Sequence, residues 1–379
     1  MWALDLPSGV DPDTGAAADE ALHADVTLTI GVPKVGLYRA PALQFTGLIR
    51  ILDIGLPRPG VRPGQSRVAE ESDVRGWLPR RPADTHKHDV GWLLVVGGAP
   101  GYYGAPRMAA EAAYRAGAGL VGLAVPPALI GPISTAIPEA IFLPLPEGAF
   151  GGVGTRMAEI VREAMPAYRA LLIGPGLGRD DPVDEFLAHL FGLEQATQTI
   201  GFSRGGNRQA TGAFDRRAVI DADGLNWLAT RERWWSRVPN AQLVLTPHPG
   251  ELARLLNTTP AAVLEDPWQA ALNAAETFGQ VVVLKQGHPV VATPSGDLWV
   301  GPQVLPALAT AGTGDVLAGI IAGLLAQGME PEAAAVAGVF VGTAAAERAL
   351  AASGTLGLVA RDVITSIPAA LARLYDPVW

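Results

Sequence analysis

The stretch Ala309-Thr310-Ala311-Gly312-Thr313-Gly314-Asp315-Val316-Leu317-Ala318-Gly319 brings an anion cradle and a carboxylate together within one turn of chain. Two glycines one residue apart let the backbone bend and bare its N–H groups, and the apolar run from Val316 to Leu325 predicts a buried helix beginning there. Gly312, Thr313 and Gly314 would then offer a phosphate the unpaired amides of a first helical turn and the positive end of the helix dipole. Asp315 would repel such a ligand unless it serves as a base, taking the proton of a hydroxyl that receives or loses the phosphoryl group. A carboxylate that only caps the helix is the competing reading, and the spacing alone leaves both open.

Other polar residues fall at the ends of short apolar runs. Ala218-Val-Ile220 leads to Asp221-Ala-Asp223-Gly-Leu-Asn226, and Leu243-Val-Leu245 leads to Thr246-Pro-His248-Pro-Gly-Glu251. Val281-Val-Val-Leu284 leads to Lys285-Gln286-Gly287-His288-Pro289. Trp92-Leu-Leu-Val-Val96 empties into Gly97-Gly98 and then Tyr102-Tyr103-Gly104-Ala105-Pro106, ahead of a helix predicted over 107–116. Ala170-Leu-Leu-Ile173 ends in Gly174-Pro-Gly176-Leu-Gly178. In a doubly wound α/β sheet ligands bind beyond the carboxyl ends of the strands, so these residues are expected to face one crevice although they lie far apart in sequence. Each alone has a plain reading: His248 a turn residue between prolines, Lys285 a solvated strand end, the glycines cramped corners. Glu139, in the turn before Ile141-Phe-Leu, is either a site carboxylate or a solvated residue. The phosphate is not held by a Walker A loop, and G-x-G-x-x-G spacing is absent both at Gly97 and at Gly312. Gly201-Phe-Ser203-Arg-Gly205 matches the hydrolase nucleophile elbow formally but lies in a polar, aperiodic insertion between Gly192 and Arg217, with no strand before it or helix after it.

With 379 residues, 49% of them apolar, the chain can bury a sizeable core and suits about two to three domains. The absence of cysteine excludes disulfides, thiolate zinc sites and cysteine nucleophiles. A net charge of −9 with no cluster of Lys and Arg argues against nucleic acid as a partner. No apolar run reaches the roughly 18 residues that span a bilayer, and no secretory signal opens the chain, so no membrane partner and a cytoplasmic location are expected. A homo-oligomer is the expected assembly. Residues 1–56 read as three strands, 57–66 with three prolines and two glycines as a linker, and 67–379 as one α/β unit. About 55 residues fall short of a domain with its own core, so the first segment is read as the end of something larger.

That first segment resembles the C-terminal third of the NAD(P)H-hydrate epimerase domain through Asp5-Leu-Pro-Ser8-Gly9, Ala24-Asp25-Val-Thr27-Leu-Thr29 and Pro33-Lys34-Val-Gly36-Leu37. The resemblance implies a partial Rossmann-like α/β fragment, with Asp5 contacting a hydrated nicotinamide nucleotide and Ser8 helping to hold a potassium ion. The family's asparagine- and glycine-rich loop lies upstream of this turn, so residues 1–56 are not expected to epimerise as they stand.

The longer segment resembles the ADP/ATP-dependent NAD(P)H-hydrate dehydratases, lyases of metabolite repair. Seven motifs carry the likeness in family order: His86-Lys87…Gly91, Val96-Gly97-Gly98…Tyr103-Gly104-Ala105-Pro106, Gly117-Ala-Gly119-Leu-Val, Gly174-Pro-Gly-Leu-Gly178, Asp221-Ala-Asp223…Asn226, Leu245-Thr-Pro-His248-Pro-Gly-Glu251 and Thr310-Ala-Gly-Thr-Gly-Asp315-Val-Leu-Ala-Gly319. An epimerase segment just before them matches the family's bifunctional arrangement. The resemblance implies a ribokinase-like fold, a layered sheet with helices on both faces. Ala105, Gly176 and His248 would line the hydrated nucleotide, the run Lys285, Gln286, Gly287, His288, Pro289 together with Gly314 would hold the adenine nucleotide, and Asp315 would face the substrate hydroxyl. ADP or ATP would be the phosphoryl donor, with Mg²⁺ accompanying it, and bacterial members tend toward ADP. Two stretches depart from the family pattern: Lys285-Gln-Gly-His-Pro289 replaces Lys-Gly-x-x-Thr, and Gln303-Val-Leu-Pro306 stands where a threonine-glycine-asparagine stretch is expected. A ribokinase-like kinase of a small alcohol or vitamin precursor would use the same Gly-x-Gly-Asp chemistry but keep the phosphate on its product. A non-catalytic nucleotide-binding module would bind ADP without repairing hydrated NADH.

Overall fold

Runs that are apolar at every position, such as Trp92–Val96 and Val281–Leu284, suit strands covered on both faces. In a computed structural model, which describes residues 1–56, 64–148, 152–194 and 213–375, they become neighbours in one sheet. In chain order the strands are β1 (Trp2–Leu4), β2 (Val26–Ile30), β3 (Leu48–Leu52), β4 (Ser66–Val68), β5 (Trp92–Val96), β6 (Leu120–Val125) and β7 (Ile141–Pro144). They continue with β8 (Ala170–Ile173), β9 (Arg217–Ile220), β10 (Gln242–Leu245), β11 (Val281–Leu284), β12 (Val290–Ala292) and β13 (Leu298–Val300). A ten-stranded sheet has the order β4-β13-β12-β11-β10-β9-β8-β5-β6-β7, and a three-stranded parallel sheet the order β1-β2-β3. Within the large sheet β12 is antiparallel to both its neighbours and the other pairings are parallel.

Side chains alternate across the large sheet and so divide the core into two layers. Leu94, Val96, Leu171 and Ile173 pack with Phe186 and Leu190 on one face, while Leu93, Val95 and Leu172 pack with Val316 and Ile320 on the other. Registers bring the strand ends level: Val96 pairs with Ile173, Ile173 with Ile220, and Leu245 with Ile220. After β5 the chain adds β6 and β7 on one side and then β8 on the other. This reversal opens a crevice between the β5 and β8 exits.

The helix expected from Val316 runs from Thr313 to Ala326 and is preceded by Gly312 at φ +90°. Its glycines meet the helix Gly104–Arg115 backbone to backbone: a Cβ on Gly319 would stand 2.2 Å from the Ala109 carbonyl oxygen, and one on Gly323 2.8 Å from that of Ala113. Small residues one turn apart therefore set how closely these helices lie, and with that where the Gly312 turn sits relative to Ala105.

The structure bears on three further expectations. Strand β4 takes in Ser66, the last residue of the compositional linker, because its backbone pairs with Leu298 at the sheet edge. The first segment has no separate core, in keeping with its length: Leu37, Tyr38, Ala42 and Ile49 belong to the same buried cluster as the large sheet. The helix Pro331–Ser353 is long and apolar enough to cross a membrane although no uninterrupted apolar run marks it; it packs into the core through residues such as Val336, Val339, Val341 and Ala345. The Gly201–Gly205 elbow match lies outside the described residues.

Candidate active site

Successive strand exits are tied to one another by hydrogen bonds in the order of the sheet. Gly98 N–H donates to the Pro175 carbonyl oxygen at 2.9 Å, joining the loops after β5 and β8. Gly178 N–H donates to Asp223 Oδ2 at 3.0 Å and Arg179 Nε to Asp223 Oδ1 at 2.8 Å, joining β8 to β9. Thr246 Oγ1 donates to Asp221 Oδ1 at 2.8 Å, joining β10 to β9. Lys285 closes the series from β11: its N–H donates to the Pro247 carbonyl oxygen and its Nζ to Asp221 Oδ1 at 2.7 Å. The strand exits are therefore joined into one row along a single edge of the sheet.

Its charged centre comprises Lys285, Asp221, Glu251 and Asp315. Asp221 is buried at 1% exposure, and Glu251 Oε2 lies 4.0 Å from Lys285 Nζ. Burial raises the Glu251 carboxyl above the ordinary range against the pull of Lys285. Burial also opposes charge on Lys285, yet the attraction of Asp221 and Glu251 outweighs it, so the ammonium is held above the usual lysine value. Asp315 stands in the first turn of its helix, and Lys285 Nζ is 3.4 Å from the position a Cβ would take on the neighbouring Gly314. Burial, then repulsion from Asp221, pushes the Asp315 carboxyl up to about 7, with Lys285 pulling the other way. A carboxyl poised there can release and take a proton near neutral pH.

Beside this centre lies a cavity of about 390 Å³ walled by Lys285, Gln286, Gly287 and Pro289, by Gln303, Val304 and Leu305, and by Thr313, Gly314 and Leu317. Its apolar wall suits a flat base, and its lysine and helix start suit phosphates. Gly312 shapes the turn without lining the cavity: a Cβ there would press on Met108. His288 is a correction to the expected nucleotide contacts. It is 2% exposed, its Nδ1 is 2.7 Å from the Gly301 carbonyl oxygen, and its ring lies 4.7 Å from that of Tyr38. Residues Lys285 to Pro289 form the turn between the antiparallel strands β11 and β12; Lys285, Gln286, Gly287 and Pro289 line the cavity while His288 is turned into the interior.

On the other side, Gly176 and Ala105 face each other across the β5–β8 crevice, a Cβ on Gly176 standing 3.2 Å from Ala105 Cβ. His248 caps the helix Pro249–Leu255, its Nδ1 accepting from Gly250 N–H at 3.0 Å while its N–H donates to Glu251 Oε2. Its side chain is 52% exposed, and burial with the nearby Lys285 and Arg254 lowers its pKa, so a neutral imidazole borders the crevice. His248 is thus both turn residue and crevice residue. Glu139 is exposed, with its carbonyl oxygen accepting from Tyr114 Oη, in keeping with a solvated turn. Asp5 and Ser8 belong to the small sheet. Asp5 accepts from Ile30 N–H and from Lys34 Nζ, which holds its carboxyl below the usual range. Lys34 pairs with Asp5 at this turn, and Ser8 is exposed. Asp221 and Glu251 carried no assigned role in the sequence reading; their signal was position, each following a buried strand as Lys285 does.

The comparisons agree with this architecture. The sequence profile described as NAD(P)H-hydrate dehydratase matches residues 93–369, and that of the YjeF-related protein N-terminus matches residues 1–36. A bifunctional NAD(P)H-hydrate repair enzyme from Moorella thermoacetica is 38% identical over 378 residues, covering 99% of this chain and 67% of that protein. Its counterpart from Salinibacter ruber is 40% identical over 379 residues, covering 98% and 66%. The chain thus spans about two thirds of the length of these relatives. The crystal structure of an ADP/ATP-dependent NAD(P)H-hydrate dehydratase from Bacillus subtilis, co-crystallised with ATP/Mg²⁺, superposes with a TM-score of 0.64 at 26% identity, covering 82% of this chain and 99% of that one. A ribokinase-like superfamily protein from Enterococcus faecalis shares the fold, with a TM-score of 0.65 at 22% identity over 84% of this chain and all of that one. The chain belongs to the NAD(P)H-hydrate dehydratase family.

Proposed function

We propose that the protein converts hydrated NADH or NADPH back to the intact dihydronicotinamide, using ADP or ATP as phosphoryl donor. The observation that carries this reading is Asp315, a carboxyl poised near neutrality in the first turn of a helix beside a cavity with apolar and phosphate-compatible walls. Hydration leaves a ring hydroxyl, a poor leaving group. Asp315 takes the hydroxyl proton as its oxygen forms a bond to the terminal phosphorus of the nucleotide and the bond to the departing nucleotide oxygen breaks. First-turn amides at Gly314 and Asp315 and the Lys285 ammonium stabilise the charge on the transferring group. The C–O bond to phosphate then breaks, the adjacent ring carbon gives up a proton, and the ring double bond is restored. Magnesium would arrive on the nucleotide; among the described residues no three acidic or histidine side chains are grouped to hold a metal.

Incubation with hydrated NADH and either nucleotide is expected to restore the dihydronicotinamide absorbance with one inorganic phosphate released per ring repaired. A phosphorylated organic product would identify a kinase instead, and ADP binding with neither product a binding module. Gly176 supplies a test of the substrate side. It sits at φ +60°, and a Cβ would stand 2.9 Å from Tyr102 Cβ and 3.2 Å from Ala105 Cβ. Gly176→Ala is expected to raise KM for the hydrated dinucleotide by about tenfold or more, since shifts of about 1 Å near a reacting group can cost 10²-fold. Its ADP affinity should stay native; if ADP binding falls while the dinucleotide KM holds, the two subsites have been assigned the wrong way round.

A further inference from the structure

We propose that the N-terminal segment braces the loops of the nucleotide cavity from behind, and that Gln303 is the positioning residue that locks it there. This rests on the reading of that cavity as the nucleotide site.

Strand β3 is an edge strand of the small sheet, with β2 on one side. On its open side the buried Gln303 amide takes the place of a neighbouring strand: Ile49 N–H donates to Gln303 Oε1 at 3.2 Å, and Gln303 Nε2 donates to the Ile49 carbonyl oxygen at 2.6 Å. Both backbone groups of one edge residue are thereby satisfied by a side chain 254 positions away. Gln303 also lines the nucleotide cavity. A second contact brackets the same cavity from the Lys285–Pro289 turn. Leu43 Cδ1 lies 3.1 Å from the position of a Cβ on Gly287, and Tyr38 packs its ring on His288 behind that turn. Farther out, Arg39 stacks on Trp268 at 4.5 Å and pairs with Asp266 at 3.7 Å, neither residue lining the cavity.

Two of the contacts by which the large unit grips the small one, at His288 and at Gln303, thus lie in the two stretches where the sequence leaves the family pattern. Their residue types answer to docking. A glutamine amide has one donor and one acceptor side, which is what an unpaired edge residue needs. The neutral His288 ring, held well below its usual pKa by burial, can pack against an aromatic ring without carrying charge into the core. Fixing both cavity loops from outside lowers the ordering cost of binding, so it should act on nucleotide affinity and leave the chemical step alone.

Linkage makes the effect reciprocal: nucleotide must tighten the docking by the same factor that docking tightens the nucleotide. The test compares Gln303→Ala with Arg39→Ala, the second altering docking without touching the cavity. Both are expected to raise KM and Kd for ADP, Gln303→Ala by about fivefold to tenfold and Arg39→Ala by about threefold, with kcat within about twofold of native. Adding ADP to the native protein should slow hydrogen exchange in the 45–52 segment. An effect confined to Gln303→Ala would mean that its amide touches the nucleotide directly, and would overturn the proposal; so would native ADP affinity in both variants, or exchange unaltered by ADP. Should native protein not bind ADP at all, the functional reading of the cavity fails first, which is a separate outcome. Circular dichroism and the melting temperature of each variant show whether it is folded, and Arg39→Ala, partly exposed, keeps the question answerable if Gln303→Ala does not fold.

Discussion

Asp315→Asn is expected to bind ADP within about twofold of native while turnover falls by about 10² to 10⁴, the range for removing a positioned acid or base. Asparagine keeps the size and polarity of the side chain, so the helix start and the cavity wall stay as they are; only the capacity to accept a proton is lost. The pH profile carries the same claim. Burial and Asp221 hold the Asp315 carboxyl at about 7 in the free enzyme, so kcat/KM should rise with pH through about 7 and that limb should vanish in the variant. Stability moves the other way. The folded pKa of about 7 exceeds the ordinary 3.8, so between these values the folded state binds the extra proton, and the contribution of this group to stability falls as pH rises through that window. Asp315→Asn, which has no charge to bury, should therefore be more stable than native at pH 8, by a margin on the order of a few kcal/mol that closes toward pH 4. Urea unfolding at the two pH values measures it. Near-native turnover in this variant would place the base elsewhere, and equal stability at pH 8 would mean the native carboxylate is well solvated.

Lys285→Met is expected to cost both stability and activity. The ammonium is a positive charge set among Asp221, Glu251 and Asp315, and its removal leaves buried carboxylates facing one another. Breaking a buried pair on one side typically costs about 3 to 5 kcal/mol, because the remaining charge has lost its partner. The Asp315 carboxyl, freed from the attraction of Lys285, should titrate above its native value, so any residual activity should need a higher pH. A double variant separates charge from packing. Lys285→Met with Asp221→Asn removes both members of the 2.7 Å pair, and it should lose less stability than the sum of the two single changes. Strict additivity in urea unfolding would show that these groups do not share a charge balance, and the account of how Asp315 is tuned would fall with it.

Most of the strand frame was legible because its signal is local. β5, β8, β9, β10 and β11 are short, mostly apolar runs closed by glycine, Thr-Pro or a charged residue, and such runs are strands wherever they pack. The helix after Gly314 was legible for the same reason. The His288 assignment went astray because periodicity does not reveal that Lys285–Pro289 is the turn between two antiparallel strands, in which one side chain turns into the core while its neighbours line the cavity. The docking role of Gln303 left no local mark either: its partner is the backbone of Ile49, and a backbone group has no sequence identity.

By itself the sequence determined which residues end the strands, that a bent glycine segment opens a buried helix with Asp315 in its first turn, and which family these motifs resemble. Each depends on near neighbours in the chain, where residue type dictates backbone conformation. Only the tertiary structure decided what charge state those residues favour and what walls they share. Asp315 is poised near 7 because of burial and of an aspartate 94 positions earlier, and Lys285 stays charged because β9 and the helix after β10 hold carboxylates around it. Electrostatic and docking energies are set by distance in space and by exclusion of water, and neither quantity is written along the chain.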